Sequence, residues 1–149
     1  MNSIENSRAR FDYDILETVI TGIVLSGSEV KSVRTGKCSI KGSYAKILAG
    51  ELWLVGATIS PYQSNNLPSG DKQAYDDQRT RKLLVKKSEL KYLTGKSQER
   101  GLTLVPLKIF DAHGLIKLEL GIARGKKKYD KRASTKNRET KRTIRRALK

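Results

Sequence analysis

The chain is nearly devoid of thiols and soft metal ligands: among 149 residues there is one cysteine, Cys38, and one histidine, His113. A single thiol cannot close an internal disulfide. One Cys with one His cannot supply the four ligands of a structural zinc site. No apolar run approaches the roughly 18 residues that a membrane-spanning helix needs. The first residues, Met1 to Tyr13, lack the apolar stretch of a secretion signal. These absences lead to the expectation of a soluble cytoplasmic protein with no membrane partner.

Reactive constellations are missing as well. His113 has no Ser or Cys at a diagnostic spacing and reads as a turn residue. Gly125-Lys126-Lys127 lacks the upstream glycine and the Ser/Thr of a phosphate-binding P-loop. Asp76-Asp77 lies in a polar stretch where paired acids keep a loop hydrated. Cys38, although beside Lys37, reads as a partly buried, inert thiol. No enzyme is expected, with no catalytic residue, no metal and no cofactor.

What the chain has in excess is positive charge. Lys and Arg number 31 against 15 Asp and Glu, for a net charge of +16. A surface this basic attracts polyanions at long range. The charge is polarised: 13 of the basic residues fall between Arg124 and Lys149, with only Asp130 and Glu139 as acids. That segment has Ile144 and Leu148 as its only aliphatics larger than Ala, so it cannot bury a core of its own. Residues 1–123 are expected to form the folded body and 124–149 a basic tail, disordered when free. From Asp130 onward Gly and Pro are absent, so phosphates that neutralise the repulsion would let the tail become a helix.

Within the body, Phe11 to Leu16 and Val19 to Leu25 read as two strands. Ser26-Gly27-Ser28-Glu29 has the spacing of a capping box, which predicts a short helix over Gly27 to Thr35 ending at Gly36. Tyr44 to Leu48 and Glu51 to Val55 flank Ala49-Gly50, a hairpin turn. Pro61 to Gln78 is rich in Asn, Ser, Gly and Asp and reads as a long exposed loop. Leu83 to Val85 is a short apolar run. Ser88 is expected to cap a second helix carrying Leu90 and Leu93, with Gly95 interrupting it and Gly101 ending the helical region. Leu102 to Phe110 and Leu115 to Ala123 read as strands joined through Asp111 to Gly114. Several strands with few helices and no βαβ alternation predict a mainly β protein. The expected fold is an OB-like closed antiparallel barrel of about six strands, with two or three short helices and the basic tail.

The surviving functional signal is a set of basic clusters that could grip phosphates: Arg8 with Arg10, Lys31 with Arg34, Arg79 with Arg81 and Lys82, and Lys126-Lys127-Lys128. Phe11, Tyr13 and Tyr129 lie beside them. Rings next to cations suit unpaired bases that stack, which favours structured RNA over duplex DNA.

The chain resembles the SmpB family, the protein partner of transfer-messenger RNA in bacterial ribosome rescue. The resemblance rests on Asn6-Ser7-Arg8-Ala9-Arg10 with Tyr13, on Gly27 to Lys37, on Ser43-Tyr44-Ala45, and on Ile59-Ser60-Pro61-Tyr62. It continues through Arg79 to Leu84, Thr103 to Leu107, and Gly125 to Arg132. It implies an OB-like barrel that holds the tRNA-like domain of transfer-messenger RNA, in a protein that is a monomer when free. It also implies a tail that enters the small-subunit decoding centre and the empty mRNA channel. Asn6 and Leu84 match family positions implicated in RNA binding, and Glu29 stands within a matched motif. Tyr129 falls at an aromatic position suited to stacking on a decoding-centre base, and Asp130, Lys131 and Arg132 match the tail motif. Three positions depart: Ile20 stands where the family usually has Glu, Ser7 where a basic residue is usual, and Phe11 where His is frequent. Glu17 or Glu29 could stand in for that missing carboxylate.

Overall fold

The computed structural model describes residues 3–62 and 76–126. The elements in chain order are β1 (Ile4–Glu5), α1 (Ser7–Asp12), β2 (Tyr13–Ile23), α2 (Gly27–Arg34), β3 (Cys38–Ser39) and β4 (Tyr44–Leu48). They continue with β5 (Glu51–Val55), β6 (Thr58–Ile59), β7 (Arg81–Leu84), α3 (Lys87–Ser97), β8 (Leu102–Ala112) and β9 (Leu115–Gly125). The large sheet runs β1-β8-β4-β5-β7-β2-β9, and β8 also pairs with β9. Six strands therefore close into a ring, with β1 added outside β8 and a small β3–β6 sheet to one side. The protein is mainly β with three helices, as expected.

Two tight hairpins fix the register. Ala49-Gly50 and His113-Gly114 each place two residues at positive φ (52° and 73°; 53° and 85°). That pair of left-handed residues is the two-residue turn whose twist matches paired strands. Inside the ring, Leu52, Leu54, Leu104, Ile109, Leu118, Leu120 and Ile122 are almost wholly buried. Helix α2 adds Val33 to this core and α3 adds Leu93.

Two bulges give the sheet a second, outer core. Leu104 and Ile109 both face inward although five positions apart, which strict alternation forbids. The register shifts between Pro106 and Lys108, inserting Leu107 and restoring the parity. Proline cannot donate to the ladder, so the shift falls where the hydrogen-bond pattern is already broken. Leu107 turns outward and packs with Val105, Ala123 and Ala9 of α1. A matching shift between Ile15 and Glu17 in β2 brings Ile15 to the same cluster.

Several local expectations need correction. Tyr13 to Ile23 form one strand, β2, bent by its bulge instead of broken; Val24 and Leu25 lie beyond its end, and Phe11 and Asp12 end α1. Asn6 decides this: its side chain caps α1 by accepting from the Ala9 amide at 3.1 Å. Helix α3 starts one residue before Ser88 and is capped at Lys86, whose amide donates to the Glu89 carboxylate at 3.1 Å. Gly95 does not interrupt it. The capping box on α2 forms as expected, with Ser26 and Glu29 bonded reciprocally. Strand β9 runs through Arg124 and Gly125, two residues past the expected edge of the body. Residues 63–75 of the expected loop lie outside the described residues. Among the described residues no helix is long and apolar enough to cross a membrane, and no cluster of His, Cys, Asp and Glu could hold a metal ion.

Candidate nucleic-acid interface

The first part of the site is built around α1. Asn6 is 2% exposed. Its backbone amide donates to Leu107 O at 2.8 Å, and its Nδ2 donates to Pro106 O at 2.9 Å and to Ile40 O at 3.0 Å. Asn6 therefore receives the carbonyls at the β8 bulge and sets α1 upon it. Arg8 and Arg10 on that helix are exposed, and Arg8 pairs with Asp12 at 3.4 Å. Beside them a groove of about 480 Å³ is lined by Asn6, Arg8, Tyr13, Ser43, Tyr44 and Thr103, among others. It combines two phenol rings with one guanidinium, which the Asp12 carboxylate at the same groove partly neutralises. Tyr44, named in the sequence only within the Ser43-Tyr44-Ala45 motif, was not among the expected RNA-binding residues; strand alternation in β4, which leaves it 43% exposed, is the signal that marks it.

The root of the basic segment lies against the same helix. The Lys126 amide donates to Asp12 O at 2.9 Å and its Nζ to Arg10 O at 3.4 Å. Lys127, Lys128, Tyr129, Asp130, Lys131 and Arg132 lie outside the described residues.

The second part is an internal ion-pair network. Glu29 and Arg81 are 2% and 0% exposed. Arg81 Nε donates to Glu29 Oε2 at 2.8 Å, and Nη2 lies 2.6 Å from the same oxygen. Arg81 also donates to the carbonyls of Ala57 at 3.0 Å, Arg79 at 2.8 Å and Asp77 at 3.2 Å. The other Glu29 oxygen accepts from the Ser26 amide at 2.9 Å and from the half-exposed Arg79. Burial acts to raise the Glu29 carboxyl; the Ser26 amide and the Arg81 and Arg79 guanidiniums outweigh it and hold the group below its ordinary value. Cys38 is close by, and burial pushes its thiol up to about 11 despite Arg81. Such a thiol is unreactive near neutral pH.

Arg81 and Glu29 thus face inward and satisfy one another, while Arg79, exposed on the far side of Glu29, is held in place by them. Arg34 is exposed but tied to the β8–β9 turn, through Asp111 at 3.2 Å and Gly114 O at 2.9 Å. Lys31 is exposed on α2. Lys82 pairs with Glu51 at 3.2 Å.

The third part is the outer face of β2, β7 and β9. Leu84 and Ile20 are each 51% exposed. Gly22 lies directly opposite Leu84, and a Cβ on it would come within 3.2 Å of the Leu84 Cβ, so glycine there leaves the leucine its place. Ile20 pairs with Glu119, and Gly22 with Lys117. The acid beside Ile20 is therefore Glu119. Glu17 accepts from the Tyr92 hydroxyl and Glu29 is buried, so neither nearby acid of the sequence stands at that spot.

The family model described as SmpB protein matches residues 3–149. The chain is 50% identical over 145 residues to the SsrA-binding protein of Thermosynechococcus vestitus, covering 97% of this chain and 93% of that one. The SsrA-binding protein of Chlorobaculum tepidum is 49% identical, with 97% and 89% covered. A solved structure described as "tmRNA-SmpB: a journey to the center of the bacterial ribosome" is 49% identical, covers 86% of this chain and 87% of that one, and superposes with a TM-score of 0.69. The chain belongs to the SmpB family.

Proposed function

We propose that this protein binds the tRNA-like domain of transfer-messenger RNA and delivers it to stalled ribosomes for trans-translation. The carrying observation is the family match, which runs through the basic C-terminal segment as well as the body. Relatives named SsrA-binding proteins and a neighbour named for a tmRNA–SmpB assembly at the ribosome support both partners. The family is one of RNA-binding proteins, not enzymes. Its work is cytoplasmic.

In this reading the ring of six strands is an OB-like barrel. Its outer surface contacts RNA through Arg8, Arg10 and Tyr13 around the α1 groove, through Lys31, Arg34, Arg79 and Lys82 on and beside α2, and through Leu84 on β7. Asn6, Glu29 and Arg81 act from within, holding α1 and Arg79 in position. Residues 127–149, rooted on α1 by Lys126, enter the decoding centre and the empty mRNA channel and fold there as a helix. Lys126, Lys127, Lys128, Lys131 and Arg132 face small-subunit RNA phosphates, Tyr129 stacks on a base, and Asp130 begins the helix.

Equilibrium binding to the tRNA-like domain, with elongator tRNA and an equal-length duplex as competitors, tests the body. Binding that survives competition is expected; equal affinity for all three would make the charge general phosphate glue and favour a structural ribosomal role. Deleting residues 127–149 should spare that binding and abolish rescue of stalled ribosomes in a reconstituted system. Near-normal rescue by the shortened chain would refute the tail assignment.

A further inference from the structure

Tyr62 has no role in the interface as assembled so far, yet two cations converge on it. Lys31 Nζ lies 5.8 Å and Lys37 Nζ 5.9 Å from the centroid of its ring. Both lysines are exposed. The arrangement is held from the backbone. Gly36, at φ +80°, ends α2 and turns the chain, and the Lys37 amide returns to Ser32 O at 2.9 Å. The Ser60 amide donates to Lys37 O at 3.1 Å, and Cys38 pairs with Ile59 in the small sheet. Lys37 and the stretch leading to Tyr62 are thus fixed to one another, with Lys31 on the adjoining helix.

The charge balance separates this cluster from Tyr92, an exposed aromatic that also lies next to a lysine. Tyr92 donates to Glu17, and Lys96, 5.6 Å from its ring, pairs with Glu99 at 3.4 Å. Those charges are compensated locally. Among the described residues neither Lys31 nor Lys37 forms an ion pair. A cation near a ring at an exposed site gains only about 0.5–1 kcal/mol. Two uncompensated ammonium groups drawn to one ring repel each other, and an anion placed between them removes that cost. We infer that Lys31 and Lys37 form a clamp for a single RNA phosphate, with Tyr62 as the positioning residue that holds the two ammonium groups together. The inference rests on the RNA-binding reading and adds Lys37 and Tyr62 to it.

The number of phosphates is what the test reads. Full-length wild type, Lys31→Gln, Lys37→Gln and the double variant are titrated with the tRNA-like domain over a range of salt, by fluorescence anisotropy. One lost phosphate contact lowers the log–log salt slope by roughly 0.7–0.9. Because the phosphate is shared, each single variant and the double are all expected to lose about that one step. A double variant that loses two steps would mean two independent contacts and overturn the clamp; an unchanged slope in all three would overturn it as an RNA contact. Tyr62→Phe should keep the wild-type slope and Tyr62→Leu should lower it by the same step; a wild-type slope in Tyr62→Leu would overturn the ring's part. Preference of the wild type for this RNA over duplex competitor is scored separately, so failure of the clamp and failure of the RNA reading are distinguishable.

Discussion

Replacing Glu29 by Gln should destabilise the protein far more than an ordinary charge-to-amide change at a surface helix. Glu29 and Arg81 are 2% and 0% exposed, so neither charge has water to fall back on. In the wild type, the carboxylate accepts two charge-assisted contacts from Arg81, one from Arg79 and one from the Ser26 amide. Glutamine keeps the shape but removes the charge and turns one acceptor oxygen into a donor, leaving Arg81 buried among neutral acceptors, the carbonyls of Ala57, Arg79 and Asp77 included, with no counter-charge. Removing one member of a buried pair costs about 3–5 kcal/mol. For a folded body of this size that corresponds to a fall in Tm of roughly 10–20 °C. Urea denaturation followed by circular dichroism measures the loss directly, and the slope with urea should stay unchanged if the fold is the same. Arg81→Met should cost a similar amount, while Glu29→Leu with Arg81→Met should cost clearly less than the two singles together, because no buried charge is stranded. The pH dependence has a definite sign. The folded-state carboxyl is held below its ordinary value, so its contribution is complete above the unfolded value and disappears as pH falls through the folded one. The Gln variant should lack that acid-side loss. A cost below about 1 kcal/mol for Glu29→Gln, or an unchanged acid limb, would show that the pair does not hold this region together.

Asn6→Ala should cost about 2–4 kcal/mol, since it removes a helix cap and the buried donor to Pro106 O, while Ile40 O keeps Ser43 as a donor. Asn6→Asp keeps the cap acceptor but sets a carboxylate against those carbonyls, and should be worse; urea denaturation that ranks it milder than Ala would refute the assignment. Leu84→Ala removes an exposed apolar contact and no charge, so it should weaken binding to the tRNA-like domain with the salt slope unchanged. A marked drop in slope for Leu84→Ala would show that the outer face of β7 works through phosphates.

Much of the fold was legible because the signals are local. The Ser26–Glu29 spacing specifies its own capping box, and Ala49-Gly50 and His113-Gly114 specify tight turns, whatever packs around them. Alternation in Leu115 to Ala123 marked a half-buried strand. The misreadings were also local signals, taken where a distant contact prevails. Phe11 and Asp12 read as the start of a strand instead of the end of a helix, because the bulge carbonyl of Pro106 that fixes Asn6 lies 100 residues away in sequence. Pro106 gave no hint that Leu107 would turn outward to build a second core. Arg79, Arg81 and Lys82 read as one basic cluster, although alternation along β7 sends Arg81 inward to Glu29 and leaves Lys82 half-exposed.

By itself, then, the sequence determined the class of the molecule. Composition left no Cys/His set for structural zinc and no second thiol for an internal disulfide, the placement of charge separated a basic segment from a foldable body, and collinear motifs pointed to the family. Those properties depend on what residues are present and in what order. Only the tertiary structure decided which cations face solvent and which support the interior, which acid stands beside Ile20, and that Lys31, Lys37 and Tyr62 meet. Each of those depends on how separate elements and turns are brought together, through sheet register, bulges or loop contacts. A register shift of one residue reverses which face a side chain serves.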